Sequence, residues 1–104
     1  MQMMILDRSR QLGIDNNTVT LEQLIQKIDE EVGEVVDAYY YSSLTELQSE
    51  LFDTIQVCVG MLDKLDKEGL SLRTGLNKHH KKLVYRGWTS KKMINFTIND
   101  WEGK

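Results

Sequence analysis

The stretch IDEEVGEVVDAYYYSSLTELQSELFDTIQ, Ile28 to Gln56, carries Glu30, Glu31 and Glu34 in its first half and Glu50 and Asp53 in its second, each set beside an apolar repeat. Upstream, Thr20 followed by Gln23 is a capping-box signal, after which Leu21, Leu24, Ile25, Ile28, Val32, Val35, Val36 and Tyr39 recur at spacings of three and four. One amphipathic helix ending near Tyr40 is expected. Ser43 with Glu46 repeats the capping signal, and Leu44, Leu47, Leu51, Ile55, Cys58, Leu62 and Leu65 continue in steps of three and four to a stop at Gly69. A second, longer helix follows, and a turn around Tyr41 to Ser43 folds the two into an antiparallel hairpin.

Working outward, Ser71 is placed to cap a third helix carrying Leu72, Leu76, Leu83 and Val84 and ending at Gly87, and Met1 to Leu12 reads as a short helix stopped by Gly13. The chain contains no proline, which fits helices joined by short turns. The expected fold class is all-α, a helical hairpin forming a four-helix bundle. At 104 residues one domain over 1–104 is expected, with a modest core that homo-oligomerisation completes. The second-helix stripe also exceeds what one partner helix covers. Ile94, Phe96 and Ile98 alternate in a short irregular or β-like tail over 90–104, too short for more than a docked arm or a strand added to a partner. The single Cys58 excludes an intrachain disulfide and, on an apolar stripe, reads as a buried structural thiol. Charge at Asp7, Arg8 and Arg10 interrupts the opening apolar run, so neither a signal peptide nor a membrane span is read, and a soluble cytoplasmic protein is expected.

At about 100° per residue, Glu31 falls at roughly −60° and Glu34 at roughly −120° from Ile28, on one flank of the apolar stripe. Glu50 falls at roughly −100° and Asp53 at roughly −160° from Leu51, on the same signed flank. An antiparallel hairpin preserves that side, so the four acids line one edge. Their heights match too, because Glu34 and Glu50 lie equally far from Ser42, as do Glu31 and Asp53. Converging carboxylates repel unless a cation sits among them, and oxygen ligation without His or Cys suits Mg²⁺ first and Mn²⁺ second. The alternative is a solvated acidic face, which is what most charge runs are, and matched flanks and heights favour the metal. Asp37 points further round and reads as solvated surface.

The chain is also split by sign. Thr20 to Glu68 holds twelve acids against three lysines, whereas Leu70 to Lys92 holds Arg73, Lys78, Lys81, Lys82, Arg86, Lys91 and Lys92 and no acid. Lys78, Lys82 and Arg86 recur every four residues and form a basic stripe suited to a polyphosphate, against the plainer roles of solubility or intersubunit ion pairing. With a net charge of −3 and no groove-reading motif, a nucleic-acid partner is not expected. His79 and His80 stand in no Glu-x-x-His pair and read as exposed or stacking side chains. Trp88, Trp101 and Tyr39 to Tyr41 fit packing better than base stacking.

The run EEVGE (Glu30, Glu31, Glu34), followed after fifteen residues by ELFD (Glu50 to Asp53), resembles the EExxE…ExxD signature of the MazG-type all-α nucleoside triphosphate pyrophosphohydrolase superfamily. HKKLVYRGW, His80 to Trp88, is similar to small MazG-like proteins but far less diagnostic. The resemblance implies hydrolysis of a (d)NTP to (d)NMP and pyrophosphate, with Mg²⁺ held by Glu31, Glu34, Glu50 and Asp53. It also implies a homodimer or homotetramer whose partner chain completes the nucleotide pocket. Glu30 or a ligand would steer or deprotonate the attacking water, while Lys78, Lys82 and Arg86 would offset charge on the leaving pyrophosphate. Related alternatives are the all-α dUTPase and phosphoribosyl-ATP pyrophosphohydrolase types. A non-catalytic helical oligomer that binds a protein partner is the alternative from another class.

Overall fold

The computed structural model describes residues 1–101, so the end of the predicted tail, positions 102–104, lies outside the described residues. In chain order the elements are strands β1 (Arg8–Ser9) and β2 (Ile14–Asp15) and helices α1 (Leu21–Tyr41), α2 (Leu44–Lys67) and α3 (Leu72–Tyr85). Two compact units result, Met1–Lys64 and Leu65–Lys104.

In the first unit, α1 starts where its sequence says it should. The Thr20 hydroxyl accepts from the Gln23 amide at 3.1 Å and the Gln23 side chain accepts from the Thr20 amide at 2.9 Å, closing the capping box. Only Ser42 and Ser43 separate α1 from α2, and Ser43 Oγ accepts from the Glu46 amide at 3.1 Å. The least exposed side chains of α1 are Leu24, Ile28, Glu31, Val35 and Ala38, and those on the first part of α2 include Leu47, Glu50, Thr54, Val57 and Met61. Both sets alternate steps of three and four, the spacing of a helix–helix seam. The burial axis is thus rotated from the one the apolar repeat implies. It runs through Glu31 and Glu50, while Val32, Val36, Leu51, Phe52 and Ile55 remain about half exposed. Cys58 lies on that outer side and is exposed, not the buried thiol expected, because nothing in the described chain covers its stripe.

Met1 to Leu12 is not a helix. Gly13, at φ +67, closes a tight loop between antiparallel β1 and β2, with Arg8 opposite Asp15 and Ser9 opposite Ile14. Side chains near the loop supply bonds that a helix would have to forgo. Asn16 Nδ2 donates to the Leu6 carbonyl at 3.2 Å and Asn17 Nδ2 to Asp7 Oδ1 at 2.6 Å, beside a backbone bond from the Asn16 N–H to the Asp7 carbonyl at 2.8 Å. Asp15 also accepts from the Asn17 amide at 3.0 Å, a bond that lowers its pKa. The arm is tied to α2 by Gln56 Nε2 donating to the Met4 carbonyl at 2.6 Å and by Lys64 Nζ donating to the Asn16 carbonyl at 2.9 Å.

In the second unit, α2 and α3 end the same way. Leu70 donates back to the Leu65 carbonyl and Gly69 to that of Asp66, while Trp88 donates to Leu83 and Gly87 to Val84. These are Schellman turns, with Gly69 at φ +92 and Gly87 at φ +86. Ser71 Oγ caps α3 by accepting from the Thr74 amide. Residues 92–101 carry no regular secondary structure, the irregular form of tail.

A pair of alanine substitutions checks this reading. Gly69→Ala should destabilise by about 1–2 kcal/mol, the cost of a Cβ in the left-handed region. Gly75→Ala, inside α3 with open space around it, should stabilise by roughly 0.5–1 kcal/mol. Urea midpoints at equal protein concentration should move in opposite directions, and a shared direction would refute the turn assignment.

Candidate metal centre

The hairpin brings acids from both helices into the seam. Carboxylate oxygens of Glu31, Glu50 and Asp53 lie within 4.8 Å of one another. Glu31 is 5% exposed, as buried as Ala38, Glu50 is half-buried and Asp53 is exposed. Glu34 is not among these three; it adjoins Glu50 on the turn side and helps to raise the pKa of the Glu50 carboxyl. Each helix thus contributes one deeply placed acid and one near the rim.

Two oxygens in this cluster, Glu31 Oε2 and Glu50 Oε2, are buried with no hydrogen-bond partner among the described residues. A carboxylate stripped of water and left unpaired is costly, and such a cost calls for a cation or a proton. Glu50 shows the proton solution. Desolvation first, then the neighbouring Glu34, Asp53 and Glu46, pushes its carboxyl up to about 7 from 4.5. Glu31 shows the cation solution. Lys27 Nζ lies 3.1 Å from Glu31 Oε1 and 3.3 Å from Glu30 Oε1, and the hydrogen bond to Glu31 is the main cause that raises the lysine's pKa. Orphaned buried oxygens in an all-carboxylate donor set fit a hard divalent ion such as Mg²⁺.

Glu30 stands apart from the cluster, exposed and paired with Lys27. Asp37, expected as plain surface, lines an open cavity of about 300 Å³ with Glu34, Ala38, Tyr41, Ser42, Glu46 and Glu50. Lys78 and Lys82 lie on α3 with Arg86 as its C-cap, all three in the second unit. Reading the sequence missed two contributors. Glu46, whose place in the sequence signals the α2 cap, is spaced four before Glu50, and Lys27 precedes Glu30 and Glu31 by three and four. Helical-neighbour spacing was the available signal for both.

The hairpin thus sets an all-carboxylate donor group between two helices. A family model described as phosphoribosyl-ATP pyrophosphohydrolase matches residues 2–82, most of the chain, and the protein belongs to that family, part of the MazG-like all-α nucleoside triphosphate pyrophosphohydrolase superfamily. It is a pyrophosphohydrolase acting on phosphoanhydride bonds. Comparison with curated proteins and with solved structures gives no match. No helix among the described residues is long and apolar enough to cross a membrane.

The raised Glu50 pKa fixes the sign of a pH effect in metal-free protein. Between about pH 4.5 and about pH 7 the folded chain retains a proton at Glu50 that the unfolded chain has lost. The native state therefore binds more protons there, and stability falls as pH rises through that interval. In EDTA the melting midpoint should drop across it and level off above, and Glu50→Gln should flatten the profile. Parallel curves for the two proteins would refute the assignment.

Proposed function

We propose that this protein is a Mg²⁺-dependent nucleoside triphosphate pyrophosphohydrolase, converting a (d)NTP to (d)NMP and pyrophosphate, with Mn²⁺ as a substitute ion. The observation that carries the reading is the pair of partnerless buried oxygens on Glu31 and Glu50 within a carboxylate cluster. Glu31, Glu34, Glu50 and Asp53 would hold the metal. Bound there, Mg²⁺ supplies Lewis-acid polarisation of phosphate oxygens and activation of water. Glu30, at the rim and outside the cluster, or one of the ligands would orient or deprotonate the attacking water. Lys78, Lys82 and Arg86 offset charge on the leaving pyrophosphate, a role resting on their charge and four-residue spacing alone.

A second reading takes phosphoribosyl-ATP as the substrate, favoured by the family match over residues 2–82. Both readings share one chemistry, cleavage of a triphosphate to release pyrophosphate. Incubation with canonical and modified triphosphates and with phosphoribosyl-ATP, with and without Mg²⁺, separates them by which substrate yields pyrophosphate. Release of orthophosphate instead would overturn both.

Glu50→Gln and Asp53→Asn should each reduce turnover to background while leaving helical circular dichroism intact, since each removes a ligand charge and relieves repulsion. Near wild-type turnover of either variant at saturating Mg²⁺ would refute the four-ligand set. Mg²⁺ at a hundredfold excess over Kd should stabilise the wild type by about 2.7 kcal/mol, and sodium at matched ionic strength should do far less.

We also propose that the chain works as an obligate homo-oligomer, a dimer or tetramer forming a four-helix bundle. Support comes from the half-exposed outer stripe of Ile25, Val32, Val36, Leu51, Ile55 and Leu62. Light scattering at micromolar concentration should report no folded monomer.

A further inference from the structure

From Leu21 to Asp63 the chain holds ten acids and a single base, Lys27. That one cation is spent on the most buried acid. Its Nζ lies 3.1 Å from Glu31 Oε1, and in this pair the lysine side chain is 47% exposed against 7% for the glutamate. Helix-surface electrostatics does not account for the choice, because a lysine placed N-terminal to its glutamate is the weaker order of an i,i+4 pair. The geometry at Glu31 does. One oxygen meets the ammonium from the rim, while the other, Oε2, is buried with no partner among the described residues, in a residue whose carboxylate closes the 4.8 Å cluster with Glu50 and Asp53.

We infer that Lys27 is a positioning residue for this centre: its ammonium is a tethered counter-ion that holds the Glu31 carboxylate in the seam before metal arrives, and it competes with the divalent cation for that carboxylate. The inference rests on the metal reading above. Glu30 completes the device, since its Oε1 lies 3.3 Å from the same nitrogen and can retain the ammonium once Glu31 turns its charge to the metal. The rim pair thus hands Glu31 over without leaving a bare cation beside the substrate's counter-charge. Without the ammonium, the buried carboxylate of the metal-free seam would be left uncompensated, at a cost in stability.

The experiment uses full-length protein without nucleotide and two readouts: the melting midpoint in EDTA and the Mn²⁺ dissociation constant by calorimetry. Lys27→Met should lower the EDTA midpoint and tighten Mn²⁺ binding by roughly three- to tenfold, as removal of one charge a few ångström from the ion predicts. Lys27→Arg should restore both values toward wild type. In a Glu31→Gln background, Lys27→Met should move the midpoint much less, because only the exposed Glu30 pair remains to be lost. Equal midpoint losses in both backgrounds, or Mn²⁺ affinity unchanged by Lys27→Met, would overturn the inference. Wild-type protein that binds neither Mn²⁺ nor Mg²⁺ would instead overturn the metal reading and, with it, the competition assigned to Lys27.

Discussion

Two carboxylate oxygens buried without partners between two helices set the terms for the rest of this hairpin. Hydrophobic side chains at positions 31 and 50 would continue the seam and stabilise it, so the acids are retained against local stability. Their neighbours increase the cost. Ile28 and Val35 lie one seam step to either side of Glu31, and Leu47 and Thr54 do the same for Glu50. Nearly all of these are apolar, so water is displaced from around the charges. That displacement strengthens electrostatic interactions within the seam.

A seam occupied by acids has consequences for packing. Side chains that would form the core of a two-helix unit are partly polar, and Ala38 is the only apolar residue among the described ones that is fully counted as buried. The remaining apolar surface of the hairpin lies on its outer stripe, through Val32, Val36, Leu51 and Ile55. The inner face is thus partly polar, and the outer face keeps apolar surface half exposed. Exposed Cys58 belongs to the same outer stripe, and its exposure follows from that division of labour and not from any reactivity.

Helix boundaries were legible because each is written in short-range chemistry: Thr20 with Gln23, Ser43, Gly69, Ser71 and Gly87 act within a few residues of where they stand. The approach of Glu31, Glu50 and Asp53 was legible for a related reason, since helical geometry and equal distances from Ser42 require only that two helices be antiparallel, whereas Glu34 adjoins Glu50 without joining the three. The burial axis was not legible. The apolar repeats of α1 and α2 contain both an inner and an outer face, and summing them into one stripe displaces its centre away from the acids. The amino-terminal hairpin escaped because MQMMILDRSRQLG has a glycine stop equally suited to a helix end and a strand turn. What decides between them is bonding by Asp7, Asn16 and Asn17, which no periodicity records.

The two helices meet the same electrostatic demand by different means, and that asymmetry has a physical cause. α1 carries Lys27 one turn before Glu31, so an ammonium can follow the helix surface to the buried carboxylate. α2 offers no base before Lys64, and Glu50 is instead surrounded by Glu34, Glu46 and Asp53, so a proton is the charge available to it. A proton and an ammonium are both displaceable by a divalent cation, but on different terms. Under the proposed metal binding, displacing the proton would make occupancy of the centre depend on pH near neutrality, and displacing the ammonium would make it depend on where Lys27 can go. With Glu30 3.3 Å from that nitrogen, the second displacement needs only a shift along the helix surface. Charge at the centre can therefore be exchanged without unfolding the seam that holds it.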